Sequence, residues 1–85
     1  FKVLIIDDDF VLRSSLEEIL EKNASIKSIT QAENGRRGLD RILKEDYDLV
    51  FLDVDLPMLG GMEVLKEAVK FGLEFFLISL FRRNL

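Results

Sequence analysis

Asp7, Asp8 and Asp9 stand in a row behind the apolar run "VLII" (3–6), and Asp53 and Asp55 follow a second apolar run, "LVFL" (49–52). Neighbouring carboxylates repel, and burying one without a partner is costly. Two of them about 4 Å apart at an effective dielectric of about 20 repel by roughly 4 kcal/mol. Taken alone, "DDD" reads equally well as a solvated loop in which Asp9 caps the following helix. A second strand ending in acids changes the balance. In open α/β sheets, ligands bind at the carboxyl ends of the strands. If the two runs are neighbouring strands, Asp7, Asp8 and Asp53 converge on one rim. A hard divalent cation with oxygen ligands then removes the repulsion, and a few carboxylates completed by water is the set Mg²⁺ favours.

The elements that would position these acids are legible in order. "KVLII" (2–6) is a short branched run suited to a strand buried on both faces. Leu12, Leu16, Ile19 and Leu20 then recur at helical spacing from Phe10, with Arg13, Glu17, Glu18 and Glu21 between them and Asn23 as the helix end. "IKSITQA" (26–32) alternates as an edge strand does. "ENGRRG" is a turn, followed by a second helix through Leu39, Ile42 and Leu43 to about Lys44. "YDLVFLDVD" (47–55) is the second acid-ended strand, and "LPMLGGM" a Pro- and Gly-marked loop. Met62, Leu65, Ala68 and Val69 give a third helix closed by Gly72, and "FFLISLF" (75–81) a last strand. Strands alternating with helices predict an α/β fold, an open parallel sheet with helices on both faces.

Bulk properties narrow the function classes. At 85 residues the chain is one domain, 1–85, and 48% hydrophobic with 33% charged content is that of an ordinary globular protein. A net charge of −4 argues against a nucleic-acid surface, and Arg36-Arg37 and Arg82-Arg83 read as solvated pairs. With neither cysteine nor histidine, disulfide, thiolate and typical zinc chemistry drop out. No apolar run approaches membrane-spanning length and no signal peptide is visible, so the expected location is cytoplasmic, away from membranes.

"VLIIDDDF", "LVFLDVDLPMLGGMEVL" and "FFLIS", in that order, resemble the receiver domain of bacterial two-component response regulators, and "AENGRRGL" (32–39) fits that family's A-x-x-G turn before the second helix. The resemblance covers essentially the whole chain and implies a doubly wound, flavodoxin-like sheet of strand order 2-1-3-4-5. It implies that Asp53 is the phosphoacceptor, and that Asp7, Asp8, Asp53 and the backbone carbonyl of Asp55 hold Mg²⁺. Ser79 would contact the phosphoryl group, and Pro57 and Gly61 would shape the loop after the acceptor. The implied partner is a sensor histidine kinase or phosphotransfer protein. The chain has no histidine, so it stands on the acceptor side of such a phosphorelay. It would be a stoichiometric acceptor with slow self-dephosphorylation at most, not an enzyme.

The family pattern also contains a lysine ending a fifth strand and then a final helix, and the sequence stops at "FRRNL" without them. Lys66 and Lys70 fall in the third helix and Lys2 starts the first strand, so none takes the lysine's place. The expectation is a receiver incomplete at its C-terminal end, whose exposed apolar edge at residues 75–81 invites self-association. Two other readings remain. One is a degenerate receiver that binds its partners without phosphorylation. The other is a D-x-D phosphatase, since "LVFLDVDLP" resembles the haloacid-dehalogenase signature; there Leu56-Pro57 departs from the small residues expected, and Asp7 and Asp8 have no role.

Overall fold

The structure, a computed structural model, describes residues 1–53, 66, 70 and 74–77. The strands are β1 (Lys2–Ile6), β2 (Ser28–Ala32), β3 (Leu49–Leu52) and β4 (Glu74–Leu77), with helices α1 (Phe10–Glu21) and α2 (Gly35–Lys44) between the first three. Lys66 and Lys70 are also helical and exposed, and the rest of the expected third helix lies outside the described residues. The four strands form one sheet in the order β2-β1-β3-β4. All three pairings are parallel, as the alternation of strands and helices requires. This is the predicted order, with β2 at an edge and the two acid-ended strands side by side.

Burial of β1 on both faces explains its unbroken apolar run: Val3, Leu4, Ile5 and Ile6 are all fully buried. Each contributes roughly 1.5–3 kcal/mol by leaving water. Leu4 and Ile6 join Ala32, Ile42, Tyr47, Val50 and Leu52 in the core cluster beneath α2. By strand alternation Val3 and Ile5 face the other way, and α1 packs against β1 and β2.

Asp9 caps α1 as expected, its Oδ1 accepting from the amides of Val11 (2.9 Å) and Leu12 (3.2 Å). The helix runs to Glu21 and closes just before the expected end at Asn23. Lys22 is the C-cap. Asn23 lies just past it, donating its amide to the Leu20 carbonyl and accepting from the Ser25 amide through Oδ1. Leu12, Leu16 and Leu20 are half-buried, whereas Ile19 is 64% exposed, off the face the spacing assigned to it. β2 starts at Ser28 rather than residue 26, because the Ile26 amide turns back onto the Asn23 carbonyl. β3 likewise starts at Leu49 rather than residue 47, since Tyr47 drops into the core and Asp48 Oδ2 takes the Lys2 amide at 2.7 Å, and residues 54 and 55 of the expected strand lie outside the described residues.

α2 begins at the "ENG" turn, where Asn34 Oδ1 accepts from the Arg37 amide at 2.8 Å. Arg41 and Lys44 place positive charge in its last turn, complementing the helix dipole. Gly38 lets the helix lie directly on β1. A Cβ there would stand 2.4, 2.7 and 3.0 Å from Ile6 Cδ1, Cγ1 and Cγ2. No helix among the described residues is long and apolar enough to cross a membrane.

Candidate functional site

The β1–β3 register runs to Ile6 opposite Leu52, and the Asp53 amide donates to the Ile6 carbonyl at 3.0 Å. Continued by one residue, that register sets Asp7 opposite Asp53 at the carboxyl end of the sheet. The side chains converge: a carboxylate oxygen from each of Asp7, Asp8 and Asp53 lies within 4.8 Å of the other two. Asp7 and Asp53 are fully buried and Asp8 is exposed. The pocket therefore has two walls out of water and one acid open to solvent, as a site filled from solution needs.

The backbone around Asp7 is held from three sides. Its amide donates to the Ala32 carbonyl of β2 at 3.1 Å. Its Oδ1 accepts from the Asp9 amide at 2.8 Å, which folds the turn between β1 and α1 over the carboxylate. Its carbonyl accepts from Arg13 Nη1 at 2.6 Å. Arg13 also donates through Nε to Gln31 Oε1 at 2.9 Å, and Gln31 Nε2 donates to Glu17 Oε1 at 2.9 Å. The sequence reading assigned Arg13 and Glu17 to the polar face of α1 and gave them no role at the site. The signal was an arginine six residues after Asp7, within reach of the strand end that starts its own helix.

The donor set suits Mg²⁺. All three groups are hard carboxylate oxygens, which calcium, magnesium and manganese prefer over zinc or copper. Their 4.8 Å span slightly exceeds the roughly 4.2 Å across an octahedral Mg²⁺ shell, a gap that a small side-chain rotation or one bridging water closes. Of the other residues predicted for the site, Asp55, Pro57, Gly61 and Ser79 lie outside the described residues.

An open parallel α/β sheet with an acidic, cation-type pocket at the ends of its two central strands is the class that fold and site define. The model of the response regulator receiver domain matches residues 3–80, and the chain belongs to that family. Among curated proteins it is 38% identical over 65 residues to a protein-glutamate methylesterase/protein-glutamine glutaminase of Oleidesulfovibrio alaskensis, covering 76% of this chain and 18% of that one. The chain thus spans under a fifth of that relative's length. Among solved structures it is similar to a CheY-like receiver domain protein from Methanospirillum hungatei, with 31% identity, a TM-score of 0.81, and coverage of 89% of this chain and 61% of that one. It is also similar to the Thermotoga maritima response regulator TrrA in complex with Mg²⁺ and BeF, with 31% identity, a TM-score of 0.77, and coverage of 99% and 76%. Receiver domains bind Mg²⁺ at an acidic pocket, and this chain gathers Asp7, Asp8 and Asp53 into an acidic cluster at the end of its sheet.

Proposed function

We propose that this receiver domain accepts a phosphoryl group on Asp53 while Asp7, Asp8 and Asp53 hold Mg²⁺. The convergence of those three carboxylates at the ends of β1 and β3 is the observation that carries the reading. Bound there, Mg²⁺ would supply the positive charge that screens the carboxylates from the incoming phosphoryl oxygens. An Asp53 carboxylate oxygen attacks phosphorus, the P–N bond to the donor histidine breaks, and the imidazole leaves as its nitrogen takes up a proton. An acyl phosphate on Asp53 results. Asp8, open to solvent, would be the third acid holding the cation. The backbone carbonyl of Asp55 is a further ligand in this reading, Ser79 contacts the phosphoryl group, and Pro57 and Gly61 shape the intervening loop.

The donor in this reading is a phosphohistidine on a sensor kinase or phosphotransfer protein in the cytoplasm. The chain has no histidine to serve in its place. The domain is a stoichiometric acceptor that at most loses its own phosphoryl group slowly to water, so it should not turn over p-nitrophenyl phosphate. The methylesterase named for the relative above is a protein of which this chain matches 18%, and that chemistry is not carried over.

Incubation with acetyl phosphate and Mg²⁺ followed by intact mass measurement tests the reading. One phosphoryl group should add to the wild type and none to Asp53→Asn. Labelling that survives Asp53→Asn would place the acceptor elsewhere. A wild type that binds Mg²⁺ yet never labels would favour a receiver that works without phosphorylation.

A further inference from the structure

In the parallel β1–β2 register, which pairs Ile6 with Ala32, the Asp7 amide donates to Ala32. The next bond of that ladder would run from the amide of residue 34 to the Asp7 carbonyl. β2 has ended by then, because Asn34 is already the N-cap of α2. The Asp7 carbonyl is instead taken by the Arg13 guanidinium at 2.6 Å, a charge-assisted bond where the sheet runs out of amides. The guanidinium is itself fixed. Its Nε is anchored on Gln31 of β2, Gln31 is anchored on Glu17 one turn along α1, and the group lies 5.7 Å from the centre of the Phe10 ring.

We propose that Arg13 is a positioning residue for the acidic pocket: it replaces the missing ladder bond at Asp7 and so fixes the backbone from which the Asp7 carboxylate projects. The inference rests on the reading of Asp7, Asp8 and Asp53 as the Mg²⁺ site, and it makes a claim that charge alone does not. A guanidinium bonded to the Asp7 carbonyl sets positive charge beside that residue, so as a mere charge its removal would tighten Mg²⁺ binding. As a strap its removal loosens Asp7 and weakens binding. Lysine keeps the charge but cannot reproduce the planar fork that spans Asp7 and Gln31.

The test uses Arg13→Lys and Arg13→Gln in the 85-residue chain, read two ways. Without metal, the amide shift and hydrogen exchange of Asp9 report its bond to Asp7 Oδ1. With metal, the Mg²⁺ dissociation constant is measured by titration. Both variants should speed exchange at Asp9 and weaken Mg²⁺ binding by roughly tenfold or more, as loss of a group that orients a metal ligand does. Tighter binding in Arg13→Gln with wild-type binding in Arg13→Lys would leave only a charge effect and overturn the proposal. Unchanged affinity and unchanged Asp9 exchange, with only a lowered melting temperature, would overturn it in favour of general packing. If the wild type does not respond to Mg²⁺, the metal reading fails, and the Asp9 amide still decides whether Arg13 positions Asp7. Should neither variant fold, Gln31→Ala leaves Arg13 and Asp7 in place, removes the acceptor that aims the guanidinium, and should move both readouts in the same direction.

Discussion

Replacing Asp53 by Asn removes one of three negative charges from a pocket in which carboxylate oxygens lie within 4.8 Å of one another, while keeping the shape and one oxygen acceptor. At that outer limit of separation and an effective dielectric of about 20, a pair of full charges such as Asp53 and Asp7 repels by about 3.5 kcal/mol before any relaxation. Asp8 is exposed, so its share is screened. After reorganisation of the side chains, a net gain of roughly 1–2 kcal/mol is expected for the metal-free protein, or on the order of 5–10 °C in melting temperature for a domain of this size. The same substitution removes a ligand, so the Mg²⁺ response should collapse. In the wild type, free Mg²⁺ at a hundredfold excess over its dissociation constant adds about 2.7 kcal/mol, and in Asp53→Asn close to nothing. Thermal melts followed by far-ultraviolet circular dichroism, in EDTA and across a Mg²⁺ series at constant ionic strength, read both effects on one sample. A variant that melts at or below the wild type in EDTA would show that the acids do not strain the empty pocket. A variant that keeps the full Mg²⁺ shift would move the cation off Asp53.

Gly38→Ala should destabilise by up to about 2 kcal/mol, because overpacking against Ile6 costs roughly 1–3 kcal/mol and better helix propensity returns about 1. In a double-mutant cycle with Ile6→Val, which removes the Cδ1 that the new methyl meets first, denaturant melts should show a favourable coupling of about 0.5 kcal/mol or more; a Gly38→Ala protein more stable than wild type would refute the close approach. Burial pushes the Tyr47 phenol above its ordinary 10.0, only partly opposed by the Thr30 hydroxyl. Above pH 10.0 the unfolded chain therefore loses a proton that the native state keeps, and stability present below that pH falls as pH rises through the raised native value. Tyr47→Phe lacks this loss, so the stability difference between it and the wild type, measured by denaturant melts, should shift in its favour from pH 9 towards pH 11 (about one unit either side of the phenol's ordinary value), and a constant difference would sink the assignment.

The two acid-ended strands could be paired from sequence because each writes its own rule. A run such as "VLII" with no polar alternation fits burial on both faces, and parallel connection by helices puts the carboxyl ends of β1 and β3 at the same edge. Asp9 was legible as a cap for a similarly local reason, since the bonds it makes reach only two and three residues ahead. What the sequence misplaced depends on partners far along the chain. Ile19 has helical spacing with Leu12 and Leu16, but periodicity does not say how wide the covered stripe is, and Ile19 falls outside it. Tyr47 and Asp48 have strand-like neighbours, yet one is claimed by the core and the other by the first amide of β1, so β3 starts later.

Arg13 is the sharpest case. On an amphipathic helix an arginine between leucines belongs to the solvent face by every local rule, and Arg13 is indeed only half-buried. Its role at Asp7 exists because β2 stops at Ala32 and Asn34, two residues on, turns away to cap α2, so the ladder bond from residue 34 gives way to the Arg13 bond at the Asp7 carbonyl. A buried carbonyl left without either bond would cost about 1–3 kcal/mol. Three elements meet in that one bond: the end of β1, the early end of β2 set by the Asn34 cap, and the third residue after the start of α1. An arginine six residues after an acidic strand end becomes a readable signal once the neighbouring strand is known to end a rung short. Moving the α2 cap, for instance by a residue inserted between Ala32 and Asn34, should therefore offer Asp7 a backbone amide and release Arg13 from its carbonyl, seen as loss of the Arg13 Nη1 bond.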